Sequence, residues 1–480
     1  MNKYRFYLCA IIIGVICAFY FVYAGQKDDC PVASNNGQYS YLFPDPMLTT
    51  YNMEIYLDIN TRTLYGSTVI DTVNTCGKTL EELCFTAYPN AFRNKLDTPA
   101  PADAYYCGFN EGWLKIDSLK VNGSKVEYQE AGVLIKALVP LDLLPDKNIK
   151  VEMIWRAKIP KLAYRYGSKA GVYMLGNFYP TLNVLSDGDW HNSYNSVFGD
   201  PFCFHVASYM VNINLPEAYN MVSTGTTITQ LAEDNGRTIY QVKADKVRDF
   251  CLLVTYDYQE LNQEITGWNI KCYAPSNNID ICSQVVEQSG QILDYYSATL
   301  GSYPYPDFKV AFVPMKGFHG MEYSGFIFLR EEFLNPGYDK QKIEFILAHE
   351  IAHQWCYAMV GNDQLREPWL DEGLANWLAN KYLQKYRGYS QPDINYQQGV
   401  KLSKQLKEMR SSREYYRTAY EGGEAFWYGL EQELGEEMVI KVLRSYLAEY
   451  KFKIACSRDL LAIIEKEAHK DMDYYFDKWF

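Results

Sequence analysis

Two histidines and two glutamates near the middle of the chain have the types and spacing of a catalytic metal site. His349 and His353 are four residues apart, so on a helix both imidazoles leave the same face and can bind one ion. Glu350 lies about 100° around that helix from His349, close enough to act on a water held by the ion. With Glu372 as a third ligand and a fourth position open, this is the ligand set of a catalytic zinc site. The pattern predicts a hydrolase that holds one Zn²⁺; the alternative is a core helix that carries these residues by chance.

Composition places the chain among globular proteins. The 480 residues are 48% hydrophobic and 22% charged, which is enough for two or three domains with their own cores. The net charge of −12 argues against nucleic acid as a partner, because phosphate binding needs a concentrated basic surface.

The N-terminus has the pattern of an export segment. Lys3 and Arg5 precede an apolar run over residues 8–24, and the sequence then becomes polar. Cleavage after Ala24 would give a secreted protein, whereas an uncleaved segment would be a single N-terminal membrane anchor at the cell surface. In either case we expect the remainder of the chain to lie outside the cytoplasm.

Twelve cysteines leave the question of disulfides open. Two of them lie in the export segment, and the other ten could pair in an oxidising compartment. Cys76 with Cys84, and Cys272 with Cys282, are the pairs closest in sequence. No spacing forms a recognisable framework, and connectivity does not follow from sequence.

The period of the hydrophobic pattern changes part-way along the chain. Over residues 51–260 apolar and polar residues alternate, and Asn122-Gly123 is a hairpin turn sequence, so we expect a large antiparallel sheet or sandwich. After Trp268 the helical period dominates.

Start and stop signals predict the elements of this second part. They are a helix from Ile281 to Leu300 ended by Gly301, strands at Lys309–Val313 and Phe326–Leu329, a metal-binding helix from Asp339 to Gly361, and a helix from Pro368 to Gly388 that carries Glu372.

The two metal-binding motifs resemble those of a known family. The segment from His349 to Trp355, together with Trp369-Leu370-Asp371-Glu372-Gly373, is similar to the signature of the aminopeptidase N family of gluzincin zinc peptidases. The resemblance implies an N-terminal antiparallel β-saddle or sandwich domain at 25–265, after a signal or anchor at 1–24. A thermolysin-like, mainly helical zinc peptidase domain at 266–480 would follow. Many members continue into a helical domain that caps the site, so we expect a more open site here.

A second family signature, Gly-x-Met-Glu-Asn, has its counterpart in His319-Gly320-Met321-Glu322-Tyr323. The resemblance implies that Glu322 binds the α-amino group of a peptide, with Gly320 and Met321 beside it in the substrate site. A carboxylate at a fixed distance from the metal selects substrates with an N-terminal ammonium. Tyr323 and His319 depart from the family pattern, so the resemblance is less specific here than at the metal ligands.

A third family element is a tyrosine followed by Glu-Lys-Gly, and residues 420–423 read Tyr-Glu-Gly-Gly. The resemblance implies that the Tyr420 hydroxyl stabilises the oxyanion of the reaction. Tyrosine is abundant in this region, and Tyr415, Tyr416 and Tyr428 are alternatives for the role.

The resemblance implies a zinc-dependent aminopeptidase that removes N-terminal residues from peptides. Glu350 would be the general base, Glu322 the amine ligand and Tyr420 the oxyanion donor. Asp371 and Asn376 are candidates to orient the ligand histidines, or are ordinary helix residues. The alternatives are a thermolysin-like endopeptidase and a non-catalytic surface protein in which zinc only stabilises the fold.

Overall fold

Strands fill the part of the chain before residue 276. The structure is a computed structural model that describes residues 48–186, 188–276, 278–392 and 399–480. Its strands, in chain order, are β1 (Thr49–Asp58), β2 (Thr63–Val73), β3 (Leu80–Thr86), β4 (Trp113–Val121), β5 (Ser124–Lys125), β6 (Glu127–Ala131), β7 (Leu134–Leu143), β8 (Asn148–Lys158), β9 (Tyr166–Lys169), β10 (Val172–Leu175), β11 (Thr181–Leu182), β12 (Val184–Ser186), β13 (Asp189–His191), β14 (Ala207–Pro216), β15 (Asn220–Ser223), β16 (Thr226–Glu233), β17 (Arg237–Val247), β18 (Leu252–Thr255), β19 (Tyr258–Ile265), β20 (Trp268–Pro275), β21 (Phe308–Val313), β22 (Gly320–Met321) and β23 (Phe326–Arg330).

The largest sheet has eight strands in the order β16-β17-β14-β1-β2-β8-β4-β5. Its pairs are antiparallel except β1 with β14, which run parallel. Along β1 the predicted alternation is present, with Met53, Ile55 and Leu57 buried between more exposed neighbours. The predicted hairpin turn is also confirmed, since Asn122 and Gly123 both have positive φ, at 48° and 81°.

A mixed five-stranded sheet, in the order β19-β20-β21-β23-β22, begins the second part of the molecule. The β20, β21 and β23 strands run parallel, and the large core of this part packs around them. The β19 strand pairs with β20 along its whole length, so the domain boundary predicted after residue 265 falls in the turn of one hairpin. The predicted fold class, a β part followed by a mainly helical part, is confirmed.

Helices make up most of the chain after residue 338. The α-helices are α1 (Ile279–Leu300), α2 (Lys340–Ala352), α3 (Trp369–Arg387), α4 (Ser412–Tyr415), α5 (Gly423–Leu434), α6 (Glu436–Glu449), α7 (Ser457–Ala468) and α8 (Asp473–Phe476), with π-helical segments at Gln354–Met359 and Tyr416–Gly422. Short 3₁₀ turns lie at Tyr88–Phe92, Ala102–Ala104, Glu331–Leu334 and Leu406–Glu408.

The predicted ends of α2 are half right. Asp339 caps its N-terminus as predicted, with the side chain accepting from the backbone N–H of Gln341 at 2.9 Å. Its C-terminus was predicted at Gly361, and that is wrong: α2 ends at Ala352, and the π-helical turns that follow are interrupted by a kink at Cys356 and Tyr357, whose backbone angles are not helical. The α3 C-terminus is as predicted, because Gly388 has the left-handed conformation of a C-terminal cap.

The predicted export segment at 8–24, and its predicted role as a signal or membrane anchor, concern residues that lie outside the described part of the chain. No helix within the described residues is long and apolar enough to cross a membrane. The nine cysteines in the described ranges all have free thiols, including the pairs Cys76 with Cys84 and Cys272 with Cys282.

A buried arginine from the β part holds the segment that follows α2. The Arg248 guanidinium donates to the backbone carbonyls of Phe204 at 2.7 Å, Tyr357 at 2.5 Å and Lys453 at 3.1 Å. Gly361 packs so closely on this guanidinium that a Cβ there would overlap it. These carbonyls come from distant parts of the chain, so Arg248 joins the β part to the helices and sets where the chain leaves α2.

Asp249, the next residue, forms hydrogen bonds to two segments, one that contains Ser324 and one that contains Tyr357. Its carboxylate accepts from the backbone N–H of Ser324 at 2.9 Å and from the Tyr357 hydroxyl at 2.8 Å. Ser324 lies two residues after Glu322, so this side chain ties the Glu322 segment to the chain that follows α2.

We expect Arg248→Ala to lower the free energy of unfolding by about 3 kcal/mol or more, because several buried carbonyls would lose a charged donor. Urea unfolding followed by circular dichroism measures the change. The control is Arg156→Ala, which removes the ion pair between Arg156 and Asp117. Both side chains are about two-fifths exposed, so this change should lower the free energy of unfolding by less than about 1 kcal/mol. Equal midpoints for the two variants would contradict the role given to Arg248.

Candidate active site

Helices α2 and α3 bring three metal-ligating side chains to one point. The His349 and His353 Nε2 atoms are 3.1 Å apart, and Glu372 Oε2 lies 3.2 Å from the first and 3.4 Å from the second. Donor atoms around a tetrahedral zinc lie about 3.3 Å apart, because each is about 2.0–2.1 Å from the metal. The near-equilateral triangle of donor atoms therefore fits one zinc ion.

The chemistry of the donors agrees with the distances. Glu372 Oε2 is buried and makes no hydrogen bond within the described part of the chain, although a buried carboxylate oxygen normally has a donor. The other oxygen, Oε1, accepts from two tyrosine hydroxyls, so Oε2 is the one left facing the histidines. This donor set suits a divalent cation that accepts both nitrogen and oxygen ligands.

Glu350 lies beside the ligands in a buried position. Burial raises its pKa to about 8, the carboxylates of Glu372 and Asp200 add to the shift, and His353 opposes it. Gly320 on β22 packs against the carboxylate, and a Cβ at this position would overlap it. The absence of a side chain at 320 therefore makes room for the predicted base.

Glu322 belongs to the same buried cluster. Burial raises the pKa of its carboxyl well above the usual range, and the carboxylates of Asp200, Glu350 and Glu372 add to the effect. The structure thus brings this predicted amine ligand near the metal ligands and the base. Met321, also predicted at the substrate site, is buried in a small apolar cluster.

The two departures from the family signature lie in the walls of the site. Tyr323 is buried with its hydroxyl against Gly176 of the β part, where no Cβ would fit. The His319 ring stacks on Phe333, with ring centroids 5.9 Å apart. Burial and the nearby Arg330 lower the pKa of His319 to about 4, so it is neutral at physiological pH.

Two of the four candidate tyrosines reach the ligand cluster. The Tyr420 hydroxyl donates to Glu372 Oε1 at 2.5 Å, and the Tyr415 hydroxyl donates to the same oxygen at 3.3 Å. Tyr428 is directed elsewhere, since its hydroxyl accepts from Gln384 at 2.8 Å. The geometry leaves Tyr420 and Tyr415 as the candidates whose hydroxyls lie beside the metal ligands.

The region that carries these side chains matches a family model. Residues 285–479 match the model described as "Peptidase family M1 domain". The match includes the three metal ligands, Glu350, Glu322 and Tyr420. Residues 285–479 are therefore similar to the peptidase family M1 domain, in agreement with the predicted resemblance to the aminopeptidase N family of gluzincins.

Proteins of similar sequence include plant and archaeal aminopeptidases. Aminopeptidase M1-B of Oryza sativa subsp. japonica is 22% identical over 299 residues, which cover 57% of this chain and 34% of the relative. Probable aminopeptidase 1 of Sulfurisphaera tokodaii is 23% identical over 407 residues, which cover 77% of this chain and 50% of the relative. The chain thus spans between about a third and a half of the length of these two relatives.

Solved M1 structures share the fold over nearly the whole chain. The M1 zinc metallopeptidase of Deinococcus radiodurans superposes with a TM-score of 0.65 at 16% identity, covering 89% of this chain and 93% of that one. A mutant of that protein bound to a Tyr-Ser-Ala substrate has a TM-score of 0.65 at 14% identity, covering 90% of this chain and 93% of that one.

Two residues of this site, Asp200 and Arg165, were missed by sequence reasoning. Asp200 is buried and raises the pKa of both Glu322 and Glu350, which places its carboxylate among theirs. It forms a buried ion pair with Arg165, whose guanidinium also lies 4.2 Å over the Phe318 ring. Neither residue belongs to a motif, and both come from the β part, so no local signal in the sequence marks them.

The two residues predicted to orient the ligands have different surroundings. Asp371 accepts from Asn362 at 3.1 Å and from Gln364 at 2.8 Å, so it supports the start of α3 rather than a histidine. Asn376 lies beside the imidazole of His349, and its amide raises the pKa of that ring against the larger lowering by burial.

We expect the purified chain to bind one equivalent of zinc, and His353→Ala to weaken zinc binding at least about 100-fold, since even the loss of outer contacts costs about 10- to 100-fold. Competition with a chromophoric chelator measures the affinity. The control is His191→Ala, because His191, Cys203 and Asp363 form the other histidine-containing cluster with donor atoms within 4.8 Å in the described residues. If His191→Ala lost zinc and His353→Ala kept it, the metal would be bound by the His191 cluster and not by the predicted ligands.

Proposed function

We propose that this chain is a zinc-dependent aminopeptidase that hydrolyses N-terminal residues from peptides. One observation carries the proposal: the His349, His353 and Glu372 donors, the Glu350 carboxylate and the Glu322 carboxylate meet in one buried cluster. The two histidines and Glu372 are suited to bind the metal, Glu350 is suited to act as a general base, and Glu322 is suited to bind an ammonium ion. A structural metal site has no use for the last two.

Glu350 supplies the proton transfers. Zinc held by the three ligands would lower the pKa of water to about 7 and polarise the scissile carbonyl. Glu350 takes the proton of the attacking water and then delivers it to the leaving amine. Its buried position beside the metal ligands suits both steps, because a general base must lie within hydrogen-bond reach of the proton that it moves.

The acidic pocket around Glu322 favours a substrate with a free amino group. The carboxylates of Asp200 and Glu350 raise the pKa of Glu322, and that of Asp200 also raises the pKa of Glu350, which means that negative charges repel at short range here. An ammonium ion placed against Glu322 relieves this repulsion, whereas a neutral acetylated terminus does not. The buried ion pair with Arg165 partly compensates the negative charge of Asp200.

A tyrosine hydroxyl stabilises the carbonyl oxygen as it becomes negative. Tyr420 is favoured, because its ring stacks on that of His349 with centroids 5.8 Å apart and its hydroxyl already lies at a ligand oxygen. Turning the O–H from Glu372 Oε1 toward the substrate oxygen would complete the interaction. Tyr415, whose hydroxyl is 3.3 Å from the same oxygen, is the second candidate.

Similarity supports the same assignment. Two relatives are named as aminopeptidases, and a mutant of a solved M1 metallopeptidase was crystallised with the peptide Tyr-Ser-Ala. An endopeptidase with the same metal chemistry is the competing function, and the role of Glu322 separates the two.

We expect Gly320→Ala to lower kcat by about 10²-fold or more while zinc content stays at one equivalent, because the new methyl displaces Glu350 and not the ligands. Release of a fluorophore from leucyl-aminocoumarin measures kcat, and Glu350→Gln sets the value expected when the base is lost. Gly337→Ala is the matched control, since a Cβ there meets nothing within 4 Å. A Gly320→Ala enzyme as active as this control would show that Glu350 is not the base.

The choice between aminopeptidase and endopeptidase is tested at Glu322. Wild-type protein should cleave peptides with free N-termini and leave the same peptides with acetylated N-termini intact. We expect Glu322→Gln to lower kcat/KM for the free peptides by about 10- to 150-fold, as for the loss of a charged hydrogen bond. Glu437→Gln, an exposed site on α6, is the control. Comparable cleavage of free and acetylated peptides by the wild type would identify an endopeptidase.

A further inference from the structure

Two tyrosine hydroxyls meet at one oxygen of the metal ligand Glu372. Glu372 Oε1 accepts from the Tyr420 hydroxyl at 2.5 Å and from the Tyr415 hydroxyl at 3.3 Å. The other oxygen, Oε2, faces the two ligand histidines. The Glu372 side chain is only 4% exposed, so Oε1 depends on donors supplied by the protein.

The local backbone brings the two tyrosines together. Tyr415 is the last residue of α4, and the π-helical segment Tyr416–Gly422 follows it directly. On a regular α-helix, residues five apart lie about 140° apart around the axis. A π-helical turn instead bonds residues five apart, and so brings them to one side. The Tyr415 and Tyr420 rings accordingly meet edge to face, with centroids 5.6 Å apart.

A contact between two glycines holds this segment against Glu372. Gly373 follows the ligand directly, and Gly423 follows the π-helical segment. A Cβ at position 373 would lie 2.4 Å from the Gly423 Cα, so the main chains of the two segments touch at a point where only glycine fits. The positions of both tyrosines relative to Glu372 are therefore set by main-chain packing.

The Tyr415 ring is fixed in place by the β part. It is buried and stacks on Phe198 with centroids 5.9 Å apart and planes 29° apart. A Cβ at Gly199 would lie 3.1 Å from the Tyr415 Cζ. The backbone N–H of Tyr415 donates to the Ser411 carbonyl at 3.0 Å. The hydroxyl of this residue is thus held beside the metal ligand.

Tyr420 has to move when it serves a substrate. In the proposed function its O–H turns from Glu372 Oε1 to the oxyanion of the reaction. Rotation of the O–H alone would leave two oxygens 2.5 Å apart with no hydrogen between them, and they would repel one another. The Tyr420 phenol therefore withdraws from Glu372, and Oε1 loses its closer donor.

We propose that Tyr415 is a positioning residue, which keeps Glu372 Oε1 hydrogen-bonded while the Tyr420 hydroxyl binds the oxyanion. When Tyr420 withdraws, the Tyr415 hydroxyl closes on the oxygen from 3.3 Å and maintains the orientation of the ligand carboxylate. Hydrogen bonds are exchanged in this step, and no proton is transferred. This role rests on the proposed function, because the oxyanion is what draws Tyr420 away from Glu372.

Zinc affinity in the absence of substrate tests whether the two hydroxyls can replace one another at Glu372. Competition with a chromophoric chelator measures it for Tyr415→Phe, Tyr420→Phe and the double variant. Each single variant keeps one donor at Oε1, so its affinity should fall less than about 3-fold, whereas the double variant should lose about 10- to 100-fold. A fall in the double variant equal to the product of the two single falls would overturn the shared role.

Turnover of leucyl-aminocoumarin tests whether Tyr415 acts while Tyr420 is at the substrate. Tyr420→Phe should lower kcat by about 10²- to 10³-fold, as for the loss of an oxyanion donor. Tyr415→Phe should lower kcat by about 10-fold and leave KM within about 2-fold, because Oε1 lacks a donor only after Tyr420 has withdrawn.

The control for these variants is Tyr428→Phe on α5. The hydroxyl of Tyr428 accepts from Gln384 at 2.8 Å and lies away from the metal ligands, so kcat should match wild type. An unchanged kcat in Tyr415→Phe would overturn the positioning role. A fall as large as that of Tyr420→Phe would also overturn it, because Tyr415 would then be the oxyanion donor itself.

Failure of the proposed function gives a different result from failure of this role. If wild type releases no fluorophore, the aminopeptidase proposal fails. Binding of the phosphonic acid analogue of leucine, a tetrahedral mimic of the oxyanion, to the zinc-loaded protein then decides the role of Tyr415 by calorimetry. Tyr415→Phe should bind this mimic about 10-fold more weakly than wild type and bind leucine equally well. Equal effects on both ligands, or no binding of the mimic by wild type, would overturn the role.

Discussion

Buried negative charge is the constraint on which the site depends. Asp200, Glu322, Glu350 and Glu372 are all buried within one cluster, and loss of water together with the neighbouring carboxylates opposes the ionisation of Glu322 and Glu350. Arg165 offsets one of these charges from the β part. A divalent cation at the three ligands, and in the proposed function an ammonium ion at Glu322, would each compensate this negative charge.

The β part is therefore more than a support for the helices. It supplies Arg165 and Asp200 to the cluster, and through Arg248 and Asp249 it holds the chain on both sides of the site. Arg248 binds the carbonyls that follow α2, and Asp249 binds the segment that follows Glu322. One pair of adjacent residues thus ties the segment after α2, the helix of the two histidines, to the segment that carries Glu322, the proposed amine ligand.

Local signals in the sequence predicted the helices and strands correctly, but only some of the helix ends. Asp339 and Gly388 were correctly predicted as caps, because capping depends on the hydrogen bonds of a few adjacent residues. Gly361 was predicted as the end of α2 and is not, since the chain leaves the helix after Ala352 and is held by Arg248, more than 100 residues earlier in the sequence. The glycine is there because it packs on that guanidinium.

The sequence by itself determined the metal chemistry, because the spacing of His349, Glu350 and His353 acts through the period of a single helix. Tertiary structure decided what surrounds that chemistry. It brought Asp200 and Arg165 into the cluster, selected Tyr420 and Tyr415 from a tyrosine-rich stretch, and left Tyr416 open to solvent. The reason is physical: helical spacing is a short-range property of adjacent residues, whereas burial, charge pairing and ring stacking depend on which distant segments fold against one another.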